Sequence, residues 1–273
     1  MAIFLTHTDV ASLPVEHYIR CHISKKDVGR FEVHKNVNLA SFDLLDIKNT
    51  TKDLGNVIIC QTPEQVYLIC EKEEMMEQLR VYIRPDTPSN RELIVFFQAL
   101  LKEDASHMDD LEEAINDMED VLLKDTISDY TTGIITFRKE LLRLRRYYEQ
   151  LTQVFDGFIE NENGLIDEDD IRFYKFLDQR SDRLLAHIVN LRDYITQVRE
   201  AYQAQIDIEQ NSIMKIFTVI TSIFLPLTLL VGWYGMNLMI PEYHWPFGYA
   251  FVIILSILVI VCLIIFFKRK KWF

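Results

Sequence analysis

Ten residues share both a spacing and a chemistry. Glu200, Ala204, Asp207, Asn211, Met214, Thr218, Thr221, Leu225, Thr228 and Gly232 follow one another at intervals of four and three. On an α-helix that spacing keeps side chains on a single stripe. The stripe opens with carboxylates, passes through an amide and continues in hydroxyls, with Met214 and Leu225 as bulky apolar members. From residue 216 onward the other faces carry mostly Ile, Phe, Leu and Val. Polar groups in such a helix face a bundle interior or a water path when it crosses a membrane. Threonines there also bond back to their own helix carbonyls or join helices. The continuity of the whole stripe is what points to a pore. One copy cannot enclose a pore, but several in a ring can, with the stripe toward the axis.

Beyond the stripe stands Tyr234-Gly235-Met236-Asn237. Gly235 predicts a backbone free to leave the helix, with positive φ if needed. Asn237 then supplies a neutral carbonyl oxygen. No nucleophile–base pair, metal-ligand triad or phosphate loop stands out, so the chain does not read as an enzyme and no cofactor is expected. His17, Cys21 and His22 read as ordinary strand residues rather than a zinc site. The four cysteines form no CxxC, and those in the acidic part are expected as reduced thiols.

These groups need elements to position them. The chain has 273 residues, 49% of them hydrophobic, and a net charge of −12, which excludes disorder and a disulfide miniprotein. Residues 1–211 hold 24 basic and 40 acidic residues, a net of −16. That balance argues against nucleic-acid partners and for cations. Ile216–Tyr234 is 19 residues without a charge and Phe247–Phe267 is 21; a helix needs about 20 to span a bilayer. The short connection makes them a hairpin with both ends on one side. The tail Lys268-Arg269-Lys270-Lys271 puts that side in the cytoplasm, and with it the acidic part. Trp233, Tyr234, Tyr243 and Trp245 read as interfacial aromatics at the far side. The opening MAIFLTHTDV has neither a basic region nor a long apolar run, so no cleaved signal peptide is expected.

Arg30–Val33, Asn56–Cys60 and Gln65–Cys70 read as strands, and Glu73–Ile83 as a helix. Two prolines in 84–89 mark a linker. After Asn90 no strong strand is found. Leu111, Ile115, Met118 and Leu122 form one helical stripe, and Phe137, Leu141, Leu144, Tyr148, Leu151 and Phe155 another. The acidic run Asp109–Asp120 reads as a solvated helix face. Asn161–Gly164 breaks the pattern. A helix then starts near Asp167 and shows no stop signal before Trp233, roughly 100 Å at 1.5 Å per residue. A helix that long needs partner helices along its length. The reading is an α+β cytosolic part with a long stalk helix and a C-terminal two-helix transmembrane hairpin. Its parts are a small α/β domain over 1–86, a helical domain and stalk over 87–212, and the hairpin with its basic tail over 213–273.

Gly-Met-Asn directly after the first span of a C-terminal hairpin is specific. With Asn211–Asn237, NSIMKIFTVITSIFLPLTLLVGWYGMN, the sequence resembles the CorA-type magnesium transporter family over about residues 205–267. The resemblance implies a homopentameric funnel in the plasma membrane that conducts Mg²⁺, often Co²⁺ and sometimes Ni²⁺, and is gated by Mg²⁺. It implies a selectivity filter at Gly235, Met236 and Asn237. It implies pore-lining positions at Leu225 and Thr228, an inner constriction at Met214 with its mouth at Asn211, and a cationic collar at Lys215 and the basic tail. Three departures stand out. Phe217 replaces a common leucine, which makes Met214 and Phe217 the expected gate. The loop after Asn237 leaves only Glu242 at the outer mouth, and the cytosolic part is short. Mg²⁺ sheds water reluctantly, and a ring of amide oxygens holds a hydrated ion weakly enough to release it. Regulatory Mg²⁺ is expected on cytosolic carboxylates, with Asp178 and Asp182 as candidates by position. A zinc or other transition-metal transporter of the same superfamily is the alternative, against which the intact Gly-Met-Asn speaks. A non-conducting membrane-anchored coiled-coil scaffold is a further one, against which the polar stripe speaks.

Overall fold

The computed structural model describes residues 3–25, 28–83, 91–124, 131–236, 245–270 and 272. They divide into two compact units, Met1–Arg199 and Glu200–Phe273. The first unit opens with β1 (Ile3–Thr6), α1 (His17–Ser24), β2 (Phe31–His34), β3 (Val37–Leu45), β4 (Asp53–Gln61) and β5 (Val66–Cys70), then α2 (Glu73–Arg80). The strands form one sheet in the order β1-β5-β4-β3-β2, with β1 parallel to β5 and the other pairs antiparallel. Alternation along the central strands serves two cores. Leu39, Ile58, Cys60 and Ile69 pack on one face with Ile19 and Ile23 of α1. The neighbouring Phe42 meets Phe97 of α3 (Glu92–Leu100) at a ring distance of 6.1 Å.

The helices continue with α4 (Asp104–Lys124), α5 (Thr131–Glu160) and α6 (Glu168–Tyr234). Phe155 and Phe158 of α5 carry the aromatic core onward, and Phe158 stacks on Tyr174 of α6 at 4.8 Å. The predicted stripes are the packed ones: Leu111, Ile115, Met118 and Leu122 are buried, as are Leu141, Leu144, Tyr148, Leu151 and Phe155, and on α6 so are Leu177, Leu184, Ile188, Leu191, Ile195 and Val198. Glu112 pairs with His187 at 2.9 Å, and Glu119 with Tyr194 one heptad later. Equal steps of seven on both helices mean that this part of α6 runs parallel to α4. The rest of the 109–120 run is mostly exposed, as expected of a solvated face. Asn161 takes a φ of 45° after α5. In the turn that follows, Asn163 donates to the His34 carbonyl at 2.8 Å and to Asn38 at 2.7 Å, tying the turn to the sheet.

Several expectations change. His17, Cys21 and His22 sit on α1, not on a strand, because Ile19 and Ile23, one turn apart, are both buried. β1 and β3 were not expected; along β3 the apolar residues change face between Leu39 and Ala40, and the polar Asn38 and Ser41 are buried, so no single alternating run marks the strand. α3 is equally without a periodic signal, with six of its nine residues buried. The segment 84–89 lies outside the described residues. All four cysteines are free, and burial pushes the Cys60 and Cys70 thiols up to about 12.

Asp104 is fully buried at the start of α4. Tyr148 donates to its Oδ2 at 2.7 Å, while its Oδ1 has no hydrogen-bond partner. Burial outweighs the Tyr148 bond and nearby Arg180 and pushes its pKa up to about 6. Since this lies above the ordinary carboxylate value, folding takes up a proton between about pH 4 and 6, and stability falls as pH rises through that window. Asp104→Asn keeps an acceptor for Tyr148 and removes the charge. Thermal denaturation at pH 7.5 should show a gain of up to about 3 kcal/mol, shrinking as the pH is lowered toward 5.

Candidate functional site

The second unit holds the remainder of α6 and α7 (Gly248–Arg269). Both helices are long and apolar enough to cross a membrane, and only 6% of each apolar window is buried. A core hairpin of a soluble protein would be mostly buried. Trp245 caps this region with Phe251 at 5.7 Å, and at the other end of α7 Phe267 packs on Trp272 at 5.5 Å.

The ten-residue stripe lies on α6, and each of its members is exposed. Thr221, Leu225, Thr228 and Gly232 line one open groove of about 840 Å³ together with Met236. The sequence reading missed the groove's walls. Ile220 and Phe224 flank the stripe on one side, Leu229 and Trp233 on the other. Their signal was present as positions one residue off the heptad line. Met214 and Phe217 are exposed but lie outside the groove's lining. Asn211 and Thr218 are exposed stripe members before it. Asn237 and Glu242 fall outside the described residues.

The three threonines do bond back. Thr218 donates to the Met214 carbonyl at 2.7 Å, Thr221 to Phe217 at 2.8 Å and Thr228 to Phe224 at 2.8 Å. This does not remove them from ion chemistry. Each hydroxyl proton is committed to the helix, so the oxygen lone pairs are what remain for the groove. A hydrated cation presents water hydrogens outward, and an acceptor surface is what those hydrogens require.

Gly235 is needed for a different reason from the one expected. Among the described residues positive φ occurs at Asn161, Gly55 and Gly164, not at Gly235. Its N–H donates to the Val231 carbonyl at 2.8 Å, and an added Cβ would lie 2.8 Å from that same oxygen. The constraint is close approach at the helix end.

The regulatory candidates lie in the first unit. Asp178 is half-buried, and its Oδ1 lacks a hydrogen-bond partner. Burial, then Asp182, then Asp156 of α5 push its pKa up to about 6. Asp156 was not anticipated, because the α5–α6 turn separates it from Asp178 in sequence. Among the described residues no group of three or more His, Cys, Asp or Glu side chains is set to hold a metal ion. Cys21 and His17 are 3.6 Å apart, while His22 turns to Glu32 at 3.1 Å.

The sequence profile of the CorA-like Mg²⁺ transporter proteins matches residues 30–270. The chain belongs to this family. Members of the CorA family are ion transporters rather than enzymes. The cobalt/magnesium transport protein CorA of Thermotoga maritima is 24% identical over 166 residues, 60% of this chain and 47% of that protein. The magnesium transport protein CorA of Escherichia coli is 42% identical over 92 residues, 33% of this chain and 29% of that one. The chain thus spans about half the length of the first of these curated relatives. The CorA magnesium transporter from Methanocaldococcus jannaschii has the same fold, with a TM-score of 0.78 at 17% identity over 100% of this chain and 91% of that one.

Gly235→Ala should lower the melting temperature of the purified protein, by an amount equivalent to about 1–2 kcal/mol, because the Val231 carbonyl must move. Gly232→Ala is the control. Its added Cβ meets nothing within 4 Å, so no comparable loss is expected in the same detergent.

Proposed function

We propose that the chain assembles as a homopentamer that conducts Mg²⁺, and with it Co²⁺, across the plasma membrane, with both termini in the cytoplasm. The observation that carries this reading is the groove in which Thr221 and Thr228 set two hydroxyls into an otherwise apolar lining that runs to Met236, one residue before Asn237. Membership of a family of membrane transporters supports it, as do relatives named for magnesium and cobalt/magnesium transport. The basic tail supports the orientation. The exposed apolar surface of α6 and α7 suits contact with lipid and with further copies.

In this reading five stripes face the axis. Asn237 amides form the outer ring, with Gly235 and Met236 shaping it, and hold the ion through its water shell. Glu242 attracts cations to the mouth. Thr228, Thr221 and Thr218 offer neutral oxygens along the path, and Asn211 lines the inner mouth. The membrane potential supplies the drive, about 2.3 kcal/mol per charge per 100 mV and therefore roughly 4.6 for a divalent ion. Met214 and Phe217 close the path by dewetting, because a hydrated divalent ion cannot shed its shell in an apolar neck. Mg²⁺ at Asp178 and Asp182, with Asp156 beside them, relieves the repulsion that adds to burial in pushing the Asp178 pKa up, and favours the closed ring.

Mg²⁺ flux into liposomes tests the function, and the mass of the detergent complex tests the assembly. Five chains and saturable Mg²⁺ uptake are expected. Asn237→Ala should abolish selective uptake while leaving the mass unchanged. A monomer that conducts, or selective uptake in Asn237→Ala, would overturn the reading.

The gate has its own test. Met214→Ala should raise leak current and weaken closure by internal Mg²⁺, with outer selectivity unchanged. If Met214 only packs between helices, the variant instead lowers the melting temperature and leaves the leak as it was.

A further inference from the structure

Residues 1–211 carry a net charge of −16, yet one pocket in the first unit is cationic. It opens between the β3–β4 hairpin and α5, has a volume of about 500 Å³ and is bordered by Lys52, Arg143 and Arg146. Arg143 donates to the Thr50 carbonyl at 2.8 Å, which fixes its guanidinium at the wall. Among the described residues no carboxylate pairs with Lys52 or Arg146.

The two acids at this pocket are already engaged. Asp43 accepts from Asn56 at 3.0 Å, from Gln150 at 3.1 Å and from Arg30 at 3.3 Å. Glu71 is packed against Gly55, so closely that a Cβ there would lie 2.8 Å from its Oε2. With Arg30 behind Asp43, four cations stand against two carboxylates. The backbone is shaped to match. The β3–β4 register slips between Leu44 and Leu45, opposite Gly55, whose φ of 105° suits glycine. Such bulges bend a strand away from its partner and recur beside binding sites. Leu45 and Tyr147 add an apolar wall. A pocket of this size, with a few fixed charges and an apolar side, has the dimensions of a small-molecule site.

We propose that this pocket binds a polyphosphate anion, either free or carried by a nucleotide, with Lys52, Arg143 and Arg146 on the phosphates. Guanidinium groups pair with phosphate oxygens in a two-pronged geometry, and lysine contributes a point charge. A ring attached to the phosphates would lie beside Leu45 and Tyr147. None of these residues belongs to the α6 stripe, so the site is distinct from the proposed ion path.

Calorimetry on the purified full chain in Mg²⁺-free buffer tests this with ATP and inorganic pyrophosphate. Saturable binding is expected, one anion per chain. Lys52→Gln combined with Arg146→Gln should weaken it by roughly tenfold or more at unchanged melting temperature. Substituting glutamine for Lys268, Lys270 and Lys271 should leave it intact. ATP binding more tightly than pyrophosphate identifies a nucleotide; equal affinities identify free polyphosphate. The proposal fails if neither anion binds, or if binding survives the pocket variant and disappears with the tail variant.

Discussion

A polar group on a helix within hydrocarbon finds no water, and it must be satisfied by the protein itself. The apolar length of α6 is organised by that demand. Its backbone hydrogen bonds are internal, and its threonine protons return to the carbonyls one turn back. Pro226 lies inside the helix and has no N–H to offer the carbonyl of Ser222, a freed acceptor of the kind that neighbouring helices, side chains or water re-satisfy. With donors spent, the stripe exposes oxygens that accept. The same demand separates two kinds of oxygen along the stripe. Carboxylates stand at Glu200 and Asp207, before the uncharged run begins, and amide or hydroxyl oxygens follow.

That separation matters for a doubly charged ion. A ring of ionised carboxylates would hold Mg²⁺ tightly and release it slowly, whereas neutral oxygens acting through its water shell leave it free to move on. Negative charge is concentrated instead in residues 1–211. Asp104 and Asp178 there are pushed up to about 6, Asp104 by burial and Asp178 by burial with its acidic neighbours. Their positions differ in consequence. Asp104 is fully buried against Tyr148, while Asp178 is half-buried, with its Oδ1 enclosed and without a hydrogen-bond partner. The cationic pocket at Lys52, Arg143 and Arg146 is the local exception to this charge balance.

The first unit is held by packing of another kind. A run of aromatic rings from Phe42 through Phe97 and Phe155, joined by Phe158 and Tyr174, links the sheet to α3, α5 and α6. Edge-to-face rings at these separations add specific geometry to the burial of apolar area. Asn163 then bonds the α5–α6 turn to the sheet.

Periodicity alone determined the long helices. The stripes of α4, α5 and α6, the start of α6 within one residue, and the two apolar spans all follow from 3.6-residue spacing and from runs without charge, which are local properties of the chain. The placing of the ten-residue stripe on α6 was legible for the same reason. What sequence could not supply were β3, whose apolar residues change face midway, and α3, whose short and nearly continuous apolar run shows no clear period. Nor could it foresee contacts across the chain. Asp156 beside Asp178 and the meeting of Lys52 with Arg143 and Arg146 exist only once elements pack. Even Gly235 was marked correctly but for the wrong cause. Its type was written in the sequence, but that it serves close approach to Val231 rather than a left-handed turn was decided by the distance between two atoms in the folded helix end.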